Sequence, residues 1–140
     1  MTTLATSLPG TWQLERWELV YQDGRPPEYP LGADAIGFLM YTADGYVSAS
    51  LARAARPAID ATDPLAKARA FDDYFNYAGR YVVGEDHVIH QIAIATNPAL
   101  DGLNSRRDAA LDGDRLTLSG ADFSAGSPRS QRIVWRRATP

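Results

Sequence analysis

His90 is the residue in this chain best suited to moving a proton near neutral pH, since an unperturbed imidazole titrates there. It sits in His87-Val88-Ile89-His90-Gln91-Ile92-Ala93-Ile94, where alternation puts Val88, His90, Ile92 and Ile94 on one side. On an inward side it is either a general base or a neutral core histidine bonded to a tyrosine or the backbone. Arg107 falls on a side shared with Ala109, Leu111, Leu116 and Leu118. A buried arginine needs a partner. It either clamps a carboxylate, enolate or carbonyl oxygen, or forms a structural ion pair with Glu18 or Asp73. Tyr41, Tyr74, Tyr77 and Tyr81 can surround the same space. Their hydroxyls can orient a ligand, although packing alone also accounts for them. Trp17 and Trp135 read as walls and Trp12 as structural.

Other chemistries are absent. The two histidines, His87 and His90, lie three apart on a strand and point to opposite faces, so no metal site is expected. There is no cysteine, hence no disulfide, thiolate nucleophile or Cys-ligated metal. No GxSxG, P-loop or dinucleotide fingerprint occurs, and no cofactor is implied. Ser48 and Ser50 fall opposite the inward set of their strand, away from any base. A net charge of -3 with scattered arginines argues against nucleic acid. No apolar run reaches membrane-spanning length, and the first residues do not resemble a signal peptide. With the lack of cysteine, this points to a cytoplasmic protein.

The elements that must position these residues are mostly strands. Trp12 to Tyr21 reads as the first, after the turn-like Leu8-Pro9-Gly10. The segment from Gln22 to Pro30 contains three prolines, cannot continue a ladder, and forms a long loop closing near Leu31-Gly32. Ile36 to Thr42 and Tyr46 to Leu51 form a hairpin through Ala43-Asp44-Gly45. That register sends Leu39, Tyr41, Val47, Ala49 and Leu51 inward, and Met40, Tyr46, Ser48 and Ser50 outward. Pro64 to Tyr77 reads as a helix, capped by Asp63 and ended by Gly79. Leu65, Ala68, Phe71, Phe75 and Ala78 form its apolar stripe, with Tyr74 alongside.

Arg80 to Val83 and His87 to Thr96 form the next hairpin, turning at Gly84-Glu85, with Tyr81 and Val83 on the side of His90. Arg107 to Leu111 and Arg115 to Leu118 follow, joined at Asp112-Gly113. Gly120 to Pro128 reads as a loop. Gln131 to Arg137 is the last strand, with Ile133 and Trp135 inward. The fold class is therefore all-β: one domain over 1–140, an eight-stranded antiparallel up-and-down barrel with one helix between strands 3 and 4. Such a barrel holds side chains alone or one small ligand.

Gly10-Thr11-Trp12 on the first strand and Arg137 at the end of the last resemble the lipocalin and calycin pattern. There the tryptophan closes one barrel end and the arginine packs across it, a contact with a cation–π rationale. The chain is more specifically similar to the bacterial and fungal lipocalin-like domain family. The similarity lies in Pro30-Leu31-Gly32, Gly37-Phe38-Leu39-Met40-Tyr41, Asp44-Gly45-Tyr46-Val47-Ser48, Tyr77-Ala78-Gly79-Arg80-Tyr81, Val88-Ile89-His90 and Trp135-Arg136-Arg137. The resemblance implies the fold far more than a reaction. It also implies a polar amide near Ser105, where this chain has Ser105-Arg106.

The leading expectation is a small-molecule-binding barrel for a compact, mostly apolar ligand with a polar or anionic end. The ligand would touch Tyr41, Tyr74, Tyr77, Tyr81, His90, Arg107, Trp17 and Trp135. The alternative is a cofactor-independent isomerase, cyclase, dehydratase or lyase. In it His90 is the catalytic base and Arg107 or a tyrosine stabilises the oxyanion. A third is a filled barrel acting through its surface. A homodimer is left open, and neither nucleic acid nor membrane is expected as a partner.

Overall fold

The computed structural model describes residues 3–121 and 129–139. Eight antiparallel strands close into one barrel, each paired with its neighbours in chain order and the last with the first. They are β1 (Gly10–Tyr21), β2 (Ile36–Tyr41), β3 (Tyr46–Ala52), β4 (Tyr74–Val83), β5 (His87–Ala95), β6 (Asn104–Asp112), β7 (Arg115–Ala121) and β8 (Arg129–Arg137). A short helix α1 (Leu4–Ser7) precedes them, α2 (Pro64–Asp72) joins β3 to β4, and a 3₁₀ turn spans Pro98–Leu100. Closure leaves no free sheet edge. The end of the expected loop, from residue 122 to 128, lies outside the described residues.

The turns set which side chains face inward. At the β2–β3 turn, Gly45 takes φ +102 and Thr42 bonds Tyr46, as the Asp44-Gly45 signal requires. Leu39, Tyr41, Val47, Ala49 and Leu51 are all buried, while Met40 and Tyr46 are exposed. At the β4–β5 turn the loop is Glu85-Asp86 rather than Gly84-Glu85, because the Gly84 N–H donates to the His87 carbonyl. Val83 thus pairs with Val88 and Tyr81 with His90. The expected register is off by two residues, an even shift, so every side chain keeps its face. The β6–β7 turn pairs Leu111 with Leu116 and Ala109 with Leu118, the expected inward set.

Two sequence expectations fail here, each for a tertiary reason. The helix stops at Asp72, and Tyr74, Phe75 and Tyr77 belong to β4. No helix residue is buried, and Leu65 is 61% exposed. The expected apolar stripe therefore has no core to meet. The competing alternation of Phe75, Tyr77 and Gly79 prevails because β4 must pair along β3, from Ala52↔Tyr74 to Tyr46↔Arg80, to close the barrel. The second failure is Ile94. A β-bulge sets Gly79 opposite Ile92 and Ala78 opposite Ile94, leaving Ala93 extra. Beyond it the faces exchange, and Ile94 is 64% exposed while Ala95 turns toward the core. A Cβ at Gly79 would lie 1.9 Å from the Gln91 carbonyl oxygen, so this close approach demands glycine.

The barrel is shut at one end around Trp12. The Arg137 guanidinium lies 4.2 Å from the Trp12 ring centroid, and the indole N–H donates to the Leu8 carbonyl at 3.0 Å. Arg137 also donates to the carbonyls of Ser7 and Pro9. The role of α1 is thus to supply backbone acceptors over the barrel floor.

Candidate functional site

Beyond that floor an interior cavity of about 400 Å³ opens between the strands. Its walls are apolar and aromatic: Trp17, Leu51, Phe75, Leu118, Ile133 and Trp135 all contribute. Leu103 and Asn104, both exposed, stand at its rim after the 3₁₀ turn. The polar groups that reach it come from adjacent strands: Tyr77 from β4, His90 from β5, Ser105 and Arg107 from β6. Ser105 is set directly across from His90 by the β5–β6 register.

His90 is 1% exposed and gripped on both sides. Its Nε2 lies 2.6 Å from the Tyr41 hydroxyl, and its Nδ1 lies 2.5 Å from the Tyr77 hydroxyl. Burial, and then the positive charge of Arg107, push its pKa down from 6.5 to about 3, so at neutral pH the ring carries no charge. Burial likewise raises the Tyr77 phenol to about 12, against a weaker opposing pull from Arg107. Tyr41 is raised well above 10, first by burial and then by Tyr77 and Tyr81. Both phenols are therefore protonated hydrogen-bonding groups.

The residues expected at the site divide. His90, Arg107, Tyr77, Trp17 and Trp135 all line the cavity. Tyr41 is buried but does not line it. Its ring packs edge-on to Tyr81 at 4.7 Å, and it supports His90 from the floor side. The Tyr81 hydroxyl donates to the Thr42 carbonyl at 2.7 Å and is also outside the lining. Tyr74 is displaced altogether. On β4 it points opposite to Phe75, toward Ser50 on the outer face, with the Arg56 guanidinium 5.2 Å from its ring. The aromatics expected on a helix at the mouth are strand residues, and only Tyr77 and Phe75 reach the interior.

The ion pairs suggested for Arg107 are also corrected. Glu18 takes Arg132 at 2.6 Å and Arg16 at 3.4 Å, and Asp73 takes Arg53 at 3.0 Å. Glu18 pairs across the sheet with Arg132, next to the inward Trp17, so it faces outward. The β1 bulge between Leu14 and Arg16 sets that facing, and the strand pattern does not reveal it.

Sequence reasoning missed Phe75, Asn104, Ser105 and Gln131 as contributors. Phe75 was hidden by the helix assignment. Ser105 carried no pattern signal before β6 was known to begin at Asn104. Gln131 reaches the cavity, and its Oε1 accepts from the Trp17 indole N–H at 3.1 Å. Trp135 is a wall as expected, but its buried indole N–H has no hydrogen-bond partner among the described residues. Asn104 and Gln131 supply cavity amides although position 106 does not.

The matching segment runs over residues 9–138. The chain belongs to the lipocalin-like domain family. A lipocalin-like protein from Bacteroides uniformis is similar in structure, with a TM-score of 0.52 and 16% identity. That alignment covers 94% of this chain and 98% of the other, and at that identity it shows the fold alone. A lipoprotein YedD from Klebsiella pneumoniae aligns with a TM-score of 0.45 and 14% identity, over 96% of this chain and 74% of that one. No curated protein matches the sequence. Lipocalin-like barrels commonly bind small molecules, and the fold itself assigns neither ligand nor reaction. Among the described residues no cluster of three His, Asp or Glu side chains could hold a metal, and no helix is long and apolar enough to cross a membrane.

Proposed function

We propose that this lipocalin-like barrel binds one compact, mostly apolar small molecule whose polar or anionic end rests against Tyr77, His90 and Arg107. The observation that carries this reading is the interior cavity of about 400 Å³, apolar along its walls with a few polar groups gathered on adjoining strands. That size and lining match small-molecule sites, in which sparse polar groups orient an apolar body. A filled barrel acting only through its surface has no use for such a space.

Tryptophan fluorescence tests the reading, because Trp17 and Trp135 stand in the wall whereas Trp12 lies at the floor. Titration with small aromatic and alicyclic acids, ketones and alcohols should give saturable, one-site quenching with at least one class. A bound ligand should also raise the melting temperature, by an amount that grows with its concentration. No saturable change and no thermal shift across the panel would refute it.

A second reading, a cofactor-independent proton-transfer enzyme, is favoured by the Tyr77–His90–Tyr41 chain. In that reading His90 does not take a substrate proton directly, because both ring nitrogens are engaged. Tyr77 would meet the substrate, with His90 as its positioning residue. Turnover of the bound compound, lost in Tyr77→Phe while affinity persists, distinguishes it from the first.

A further inference from the structure

We propose that the polar end of the cavity is a donor-rich site for the carboxylate of a compact hydrophobic acid, and that it holds His90 as the Nδ1–H tautomer. The proposal rests on the binding reading above and specifies its ligand.

A neutral imidazole has one N–H donor and one acceptor nitrogen. With a hydroxyl at each nitrogen, one tyrosine must donate to the ring and the other must accept from it. The tyrosine that accepts keeps its own proton for a further acceptor. Tyr41 is 3% exposed, and among the described residues its only hydrogen-bond partner is His90 Nε2. An accepting Tyr41 would bury its proton with nothing to receive it, which is costly. Tyr41 therefore donates to Nε2. The Nδ1–H then donates to Tyr77, and the Tyr77 proton is left for the cavity that Tyr77 lines.

The other polar groups have the same sense. The Trp135 indole N–H is donor only, 1% exposed and without a partner among the described residues, and its ring lines the same cavity. Arg107 carries only donors. Gln131 has its oxygen committed to Trp17, which leaves its amide N–H groups. Ser105 can turn its hydroxyl either way, and Asn104 is exposed to solvent at the rim. No Asp or Glu is among the described lining residues. A carboxylate brings several lone pairs and no proton, and so suits the Tyr77 hydroxyl and the Gln131 amide N–H groups, with the positive charge of Arg107 on the same cavity wall. An alcohol or primary amide brings a proton that finds few acceptors.

The test uses matched probes of one shape: 4-isopropylbenzoate, 4-isopropylbenzamide and 4-isopropylbenzyl alcohol, titrated at pH 7 by calorimetry. The benzoate should bind at least about tenfold more tightly than either neutral analogue. Tyr77→Phe and Arg107→Met should each narrow that gap. Independently, ¹⁵N spectra of the labelled protein without ligand should show His90 Nδ1 as the protonated nitrogen and Nε2 as the bare one. An amide or alcohol that binds as tightly as the benzoate overturns the carboxylate site while the binding reading stands. Binding by none of the three, with no other ligand found, overturns both. A bare Nδ1 overturns the tautomer whatever binds.

Discussion

Trp12 and Trp135 are both completely buried indoles, one at the closed end of the barrel and one in the cavity wall, and they are treated in opposite ways. The Trp12 N–H donates to Leu8, and its ring is covered by Arg137, whose own donors reach the carbonyls of Ser7 and Pro9. The Trp135 N–H has no partner among the described residues, and its ring faces a cavity that Arg107 also lines. Buried polar groups are nearly always hydrogen-bonded, and each exception needs a reason. At the closed end, Trp and Arg complete each other and serve stability. At the open end, a Trp and an Arg both line the interior cavity, and in the proposed reading that end serves recognition.

The sharpest way to break this contrast is Trp12→Ala. Loss of a fully buried indole should cost about 3–5 kcal/mol in denaturant unfolding. The affinity of the folded fraction should not change. A loss of affinity at unchanged stability would make the closed end part of the site.

Acid should act through the opposite end. The folded His90 pKa is depressed to about 3 from 6.5, so between those values the unfolded chain holds a proton that the folded one lacks. The stability that His90 contributes is complete above pH 6.5 and is lost as pH falls toward 3, with a slope approaching one proton. Melting temperatures against pH for the wild type and His90→Gln should differ by that slope in this window, and equal slopes would remove His90 from the account. Alkali acts through Tyr77, whose pKa is raised to about 12. Its contribution is complete below pH 10 and is lost as pH rises through that range.

Next come the two arginines compared directly. Arg137→Ala should lower stability by up to about 2 kcal/mol and spare ligand affinity. Arg107→Met should weaken an anionic ligand, which Arg137→Ala does not. The smallest effect is expected at Tyr74, on the outer face. Tyr74→Phe should alter stability by no more than about 0.5 kcal/mol and leave binding alone. A clear affinity loss there would return Tyr74 to the interior.

Much of the barrel is legible in the chain because turn chemistry and period-two alternation are local. Asp44-Gly45 determines that Tyr41 faces inward, and the glycine's positive φ is why. His90 and Arg107 are placed inward by the same reasoning, even where the β4–β5 turn is misjudged, because a shift of two residues preserves the face. The Trp12–Arg137 contact follows from the resemblance and is present at 4.2 Å.

What the chain alone does not decide is where two local patterns compete or a strand slips. The segment from Phe71 to Ala78 satisfies helical spacing and strand alternation at once, and only the closure of β4 onto β3 chooses. The bulge at Ala93 reverses Ile94 through the contact of Gly79 with the Gln91 carbonyl, a constraint between strands that no window of one strand contains. The site is the strongest case. Sequence alone supplies a histidine, tyrosines and an arginine with their faces. That Tyr41 and Tyr77 grip both nitrogens of one imidazole, and that the Trp135 N–H meets no partner among the described residues, depends on distances across four strands. Only the closed barrel sets those distances.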